Sequence, residues 1–293
     1  MTISIAHLGP TGTYAEAAAL AYVNYLAQET GQECFLCPFP TIAQTMMAVA
    51  QGQVQVGVVP VENSIEGAVA MTLDSLWQLE GLHIQKAIVL PVSHALLSKA
   101  SSLEEVKIVY SHPQALAQCQ GWLQEFLPNV QLIPANSTTE GLKYLDEENT
   151  ATISSLRAAE LYNLPVLAHP INDYQDNCTR FWVLSLEDKA KATLSLSIEG
   201  SHTSLAFSLP ANVPGSLLKP LQVFNLLNLN MSRIESRPTK RSLGEYLFFI
   251  DLEADINSHE MQLALELLAL HTETLKVFGS YGVMVVGSPA PVG

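Results

Sequence analysis

The sequence predicts an α/β fold followed by a ferredoxin-like module, and three observations predict it. Short apolar runs that end in Gly, Pro or polar residues alternate with longer helix-like stretches over the first 185 or so residues. A polar connector, residues 186–203 (LEDKAKATLSLSIEGSHT), interrupts that alternation. After it the order becomes strand, helix, strand, strand, helix, strand, which is βαββαβ.

The elements follow in order along the chain. Ile3–Leu8 is an apolar run closed by Gly9-Pro10, and a helix spans Thr13–Thr30. Strand CFLCPF (34–39), a helix over about Thr41–Gly52 and strand Val56–Pro60 come next. A further helix follows Gly67 and ends near Leu79, and QKAIVLPVSHALL (85–97) reads as extended. Strand Lys107–Ser111, helix Pro113–Leu127, strand Val130–Pro134 and helix Ser137–Asp146 continue the alternation. A short strand at Thr152-Ile153, helix Ser154–Tyr162 and strand Val166–His169 complete this part. The second part comprises strand Ser204–Leu209, a helix near Gly215–Leu227, strands Met231–Arg237 and Tyr246–Glu253, helix Ser258–Thr274 and strand Val277–Tyr281. In the last helix Met261, Leu265, Leu268 and Leu275 share one face, with Asn257 and Glu260 as a capping pair.

Composition narrows the function classes. The chain has 293 residues, 48% hydrophobic and 14% charged, enough for a large core in two or three domains. The net charge of −14 argues against a nucleic-acid partner. No apolar run reaches spanning length and the start MTISIAHLG lacks a basic region, so membrane and secretion are not expected and a cytoplasmic protein is. Cys34 and Cys37 have CxxC spacing but lie in a strand, where residues three apart point to opposite faces. Cys119 and Cys178 stand apart, so no metal site is expected. No Lys or Arg occurs before Lys86, so each later cation needs a reason.

Four stretches carry chemistry-bearing residues. In LGPTGTYAEAA (8–18) a strand runs through glycines into a helix start, where free amides favour an anion; taken alone, the stretch reads more readily as an ordinary strand-to-helix turn. In GVVPVENSIEGAV (57–69) Glu62, Asn63 and Ser64 crowd the carboxyl end of a buried strand, where open α/β sheets bind ligands; a polar loop capping the next helix through Asn63 or Ser64 reads equally well. In VYSHPQALAQCQGW (109–122) Ser111 ends a strand, Gln114 and Gln118 share a helix face, and His112 before Pro113 serves the turn. In DNCTRF (176–181) Thr179 offers a hydroxyl, Arg180 a cationic fork suited to a carboxylate and Phe181 an apolar wall. A threonine that starts a strand and a surface ion pair would leave the same letters.

In this order and spacing, GPxGTY, PVENSxxG, SHPQxxxQC, TRF and the later RIESRP (233–238) resemble the prephenate dehydratase family with its C-terminal ACT regulatory domain, from Ile3 to about Tyr281. The resemblance implies a catalytic domain at 1–186, similar to type 2 periplasmic binding proteins. Its first lobe would hold about 1–77 and 170–186, its second about 78–169, with the ACT domain at 203–285. It also implies decarboxylating dehydration of prephenate to phenylpyruvate in phenylalanine biosynthesis, with no cofactor and no metal. Arogenate dehydratase is an open alternative, and a non-catalytic amino-acid sensor a more distant one.

By the same resemblance Thr179 sits at the leaving hydroxyl. A threonine is too weak an acid to act unaided, which gives it a hydrogen-bonding or relay role. Arg180 and the amides of Thr11, Gly12 and Thr13 would hold the carboxylates. Glu62, Asn63, Ser64, Ser111 and Gln118 match the polar cleft positions, Glu62 being a general acid only if burial raises its pKa. Phe181 would be a cleft wall, or else a core aromatic. Phenylalanine would bind between paired subunits of a homodimer or homotetramer. Its contacts would be Gly215, Ser216, Leu217 and Leu218 of one subunit and Glu235, Ser236, Arg237 and Pro238 of the other. Ser216 and Pro220 depart from the family pattern, and a helix beginning after Gly215 would spare Pro220 a lost hydrogen bond. The chain starts at the dehydratase strand, so no chorismate mutase activity is expected.

Overall fold

The computed structural model of the chain describes residues 2–186 and 200–287, so most of the expected connector lies outside the described residues. Two sheets organise the molecule. The smaller one has the order β10-β6-β9-β7-β8 and forms the second lobe, with β6 at His94–Ser98, β7 at Ile108–Ser111 and β8 at Gln131–Pro134. Its remaining strands are β9 at Thr150–Ser155 and β10 at Val166–Ala168.

The larger sheet has ten strands and runs through both halves of the chain. Its first-lobe members are β1 (Ile3–Leu8), β2 (Cys34–Phe39), β3 (Val56–Asn63), the short β4 (Gly67–Ala68), β5 (Leu82–Pro91) and β11 (Cys178–Leu186). The C-terminal module adds β12 (His202–Ser208), β13 (Met231–Pro238), β14 (Tyr246–Leu252) and β15 (Thr274–Val285). The order is β13-β14-β12-β15-β5-β11-β3-β1-β2, with β4 paired to β3. Because β5 pairs with β11 along its length, the chain leaves the first lobe after Pro91, not near residue 78.

The two halves are therefore one sheet, which the connector had not suggested. Thr274–Tyr281 pairs antiparallel with β12, and then Gly282–Val285 pairs parallel with Lys86–Val89 of β5. Gly279 lets β15 come close to the β5 backbone just before that change of partner. Its φ is +132°, and a Cβ there would stand 2.8 Å from the Ile84 carbonyl oxygen. The core is shared in the same way: Met46, Leu73, Trp182 and Leu184 pack in one cluster with Ala206, Leu247, Phe249 and Phe278 of the C-terminal module.

Local rules account for the helix ends. Thr13 caps α1 (Tyr14–Thr30) by accepting from the Glu16 amide, and Gly31 closes it at φ +67°. Thr41 caps α2 (Ile42–Ala50) in the same manner, and α3 spans Ala70–Gln78. The helix expected over Pro113–Leu127 divides at Cys119 into α4 (Pro113–Gln118) and α5 (Gln120–Phe126). The one expected over Ser137–Asp146 shrinks to a 3₁₀ turn at Glu140–Tyr144. There Glu140 and Ser137 satisfy the first amides, but Gly141 follows at once. Helix α6 covers Leu156–Tyr162. Helix α7 covers Leu218–Leu226, so Pro220 falls in its first turn, where no amide is missed. In α8 (His259–Ala269) the cap is Ser258 rather than Asn257, and Leu275 lies beyond it in β15. No helix among the described residues is long and apolar enough to cross a membrane.

Candidate active site

Strand β11 lies between β5 and β3, antiparallel to both, so its side chains are divided between two covered faces. Phe181 and Val183 pack with Val58, Ile88 and Leu90 beneath α1. Trp182 and Leu184 pack on the other face, with α2, α3 and the C-terminal module. The pairing of β11 with β3 carries an irregularity: Phe181 stands opposite Pro60, but Arg180 stands opposite Glu62. Val61 is the extra residue of a β-bulge, and it inverts the faces that follow. Asn63 is thereby turned to the same face as Thr179, and Glu62 to the face of Arg180.

On the Thr179 face a buried chain of amides converges. Asn63 Nδ2 donates to Thr179 Oγ1 at 3.0 Å, to Asn177 Oδ1 at 2.9 Å and to the Cys178 carbonyl at 3.1 Å. Asn63 Oδ1 accepts from the Ile65 and Glu66 amides, which fixes the orientation of its side chain. Asn177 Nδ2 then donates to Gln118 Oε1 at 3.0 Å, and the same oxygen faces His94 Nε2 at 3.0 Å. Ser64 joins by donating to Asn177 Oδ1 and accepting from the Cys178 amide. The chain bridges the lobes, since Asn63 and Thr179 belong to the first and Gln118 and His94 to the second. Beside it, a cavity of about 530 Å³ is bounded by Asn63 and Gly67–Val69 on one side and His112–Gln114 on the other.

Chemically, this arrangement leaves two donors open. Thr179 Oγ1 accepts from Asn63, and among the described residues its own proton has no acceptor. Gln118 Nε2 is buried without a hydrogen-bond partner among the described residues. His94 is buried, and desolvation pushes its pKa down, which favours a neutral ring with the proton on Nε2 facing Gln118.

Several expected positions fall elsewhere. Arg180 does not face Thr179: its guanidinium lies 3.6 Å from Glu62 and 3.5 Å from Asp251 of the C-terminal module. Glu62 is thereby turned from the cleft by the bulge and held in an ion pair. Phe181, 2% exposed, is a core aromatic and not a cleft wall. Ser111 donates its proton to the Ile153 carbonyl at 2.6 Å, tying strands of the second lobe together. The Gly12 amide is taken by the Glu16 carboxylate at 2.7 Å, so it is not open to an outside anion. Gly12 instead meets the second lobe, where Ser155 donates to its carbonyl, and Thr139 and Ala158 leave no room for a side chain. Thr13 is occupied as the cap of α1, while Thr11 remains half-buried in the loop.

In the C-terminal module Gly215 has φ +84° and open space where a Cβ would stand. Ser216 Oγ accepts from the Val213 amide, and Leu217 caps α7 ahead of Leu218. Glu235, Ser236, Arg237 and Pro238 end β13. Arg237 reaches Asp74 of α3 through two hydrogen bonds, at 2.9 and 3.1 Å, within the same chain.

The sequence reading missed Asn177, His94 and Asp251. Asn177 was open to discovery, because it stands two residues before Thr179 and strand alternation puts both on one face. His94 and Asp251 sit in apolar runs that give no local sign of a polar partner.

Comparison with known proteins agrees with this geometry. The prephenate dehydratase family model matches residues 5–189. A bifunctional chorismate mutase/prephenate dehydratase of Aquifex aeolicus is 40% identical over 281 residues, covering 95% of this chain and 73% of that one. The crystal structure of prephenate dehydratase from Arthrobacter aurescens in complex with L-Phe superposes with a TM-score of 0.81 at 32% identity, covering 96% of this chain and 90% of that one. A structure described as a quorum-quenching acylase, GqqA, superposes with a TM-score of 0.76 at 27% identity, covering 99% of both chains. The chain belongs to the prephenate dehydratase family.

Proposed function

We propose that the chain converts prephenate to phenylpyruvate, expelling the ring hydroxyl and carbon dioxide together. The observation that carries this reading is the free proton of Thr179, held by Asn63 at the edge of the interlobe cavity. Aromatisation drives the reaction, so the protein has to orient a dianion and assist the departing hydroxyl. Thr179 supplies a preorganised hydrogen bond to that oxygen as negative charge develops on it. Because Arg180 is engaged with Glu62 and Asp251, its part in holding a carboxylate is indirect.

Phenylalanine acts as effector, bound where Gly215–Leu218 of one subunit meets Glu235–Pro238 of another in a homodimer or homotetramer. The L-Phe complex of the Arthrobacter aurescens relative supports this reading. Gly215→Val should weaken inhibition and leave the KM for prephenate nearly unchanged.

The deciding assay supplies prephenate and arogenate separately and follows phenylpyruvate and phenylalanine. Turnover of prephenate is expected, and turnover of arogenate alone would reassign the substrate. Since the acylase shares the fold, fold alone does not fix the activity, and a chain inert toward both acids would refute the reading.

A further inference from the structure

We propose that Arg233 and Asp251 of the C-terminal module are positioning residues for the reaction: by occupying Asp251, Arg233 leaves Arg180 to Glu62, and that pairing keeps Asn63 in place on Thr179. This rests on the dehydratase reading above.

Two consecutive cross-strand pairs join β3 to β11 beyond the bulge. Thr179 stands opposite Asn63 on one face, and Arg180 stands opposite Glu62 on the other. The pairs are neighbours along both strands. One local backbone geometry therefore sets both the Arg180–Glu62 contact and the 3.0 Å hydrogen bond from Asn63 to Thr179. A bulge disrupts the backbone ladder beside it, which leaves the side-chain pair on the back face to hold the register.

Arg180 is not committed to Glu62. Its Nη1 lies 3.6 Å from Glu62 and 3.5 Å from Asp251, both longer than the roughly 2.7–3.2 Å of a good hydrogen bond. Two carboxylates compete for one guanidinium, and burial decides how much each needs it. The Glu62 side chain is 31% exposed and water reaches it, whereas Asp251 is fully buried. A buried carboxylate without a counter-ion is strongly destabilising, so an unpaired Asp251 would draw Arg180 away from Glu62.

Arg233 prevents this. It donates to Asp251 through Nε at 2.7 Å and Nη2 at 3.1 Å, and Ser204 Oγ donates to the same carboxylate at 2.5 Å. Its guanidinium also lies 5.1 Å over the ring of Trp182, two residues along β11 from Arg180. Asp251 is thus satisfied within its own module, at the back of the strand that carries Thr179.

Steady-state kinetics on prephenate with two variants test the proposal. Arg233→Met keeps an unbranched stem against Trp182 but leaves Asp251 with Arg180 as its counter-ion. It should lower kcat by about tenfold and change KM by less than about twofold, because the Thr179 hydrogen bond acts mainly in the transition state. Adding Asp251→Asn removes the competing charge, so Arg180 returns to Glu62. The double variant should recover kcat to within about threefold of wild type. A merely structural role predicts no such recovery, since a second buried substitution would add to the damage. Circular dichroism confirms that each variant is folded.

Wild type is assayed first, so that failure of the dehydratase reading shows as absent prephenate turnover. With active wild type, a folded Arg233→Met of normal kcat, or a folded double variant no better than Arg233→Met, overturns the proposal. Where either does not fold, Arg233→Lys decides. It keeps the charge beside Asp251 but loses the two-pronged grip, so kcat should fall by about threefold at unchanged KM. A wild-type kcat, or a change confined to KM, overturns the proposal.

Discussion

Val61 is one residue, yet it decides which polar side chain β3 turns toward Thr179. Without the bulge, Glu62 would stand opposite Thr179 on the face of Phe181, and Asn63 would stand opposite Cys178 on the face of Arg180. The bulge gives Thr179 a neutral amide donor and sends the carboxylate to a guanidinium. Thr179 thus accepts from Asn63, and among the described residues its own proton is left without an acceptor. Thr179→Ala should lower kcat by about 10²–10³-fold with a smaller effect on KM, as expected when a hydrogen bond is made mainly in the transition state. Steady-state kinetics on prephenate measures this, and a near-normal kcat would remove Thr179 from the chemistry. On the other face, Asp251 is fully buried between Arg233, at 2.7 Å, and Arg180. Asp251→Leu should destabilise the fold by about 3–5 kcal/mol, because it leaves the buried Arg233 guanidinium without its carboxylate, while Arg180 keeps Glu62. Chemical denaturation of the purified variant provides the check.

At the scale of elements, the C-terminal module is held to the catalytic part by a strand end and by α3. Asp74 of α3 receives Arg237 and Lys240, and the Arg237 hydrogen bond is the main cause of its lowered pKa. A depressed carboxylate stabilises the fold above its unfolded pKa, and this contribution is lost as the pH falls through the folded value. Asp74→Asn should therefore lower the melting temperature at neutral pH by an amount corresponding to about 1–2 kcal/mol. The difference from wild type should close only well below about pH 4. Thermal melts of both proteins across acid pH test the sign; a difference that grows on acidification would contradict it. Gly279 makes the other attachment. Gly279→Ala puts a side chain at φ +132° and against the Ile84 backbone, so it should cost about 1–3 kcal/mol. Denaturant unfolding measures that cost.

For the whole molecule, the shared sheet and core make the two halves one folding unit. A chain ending near residue 190 would expose the β5 edge at Lys86–Val89 and leave Trp182 without Arg233, which lies 5.1 Å over its ring. Such a truncation should melt below the full chain or aggregate, and calorimetry would show it. An unchanged melting temperature would mean that the halves are independent. The same continuity gives the module a direct path to the back of the active strand, because Asp251 touches Arg180 and Arg180 adjoins Thr179 in β11.

The sequence by itself determined the order of strands and most helices, the helix starts at Thr13 and about Thr41, the βαββαβ module and the motifs that mark the family. These are short-range properties, set by periodicity, glycine and proline, and the capping hydroxyls. Only the tertiary structure decided which residues of VEN share a face with which residues of TRF. Strand alternation is local, but the bulge that reverses it depends on pairing with a strand more than a hundred residues away. The chain from His94 through Gln118 and Asn177 to Asn63 was hidden for the same reason. Each link joins residues distant in sequence, and a polar side chain in an apolar run does not name its partner. The fusion of two apparent domains into one sheet likewise depended on contacts made after Tyr281, where the second half of β15 meets an edge that the first lobe leaves open.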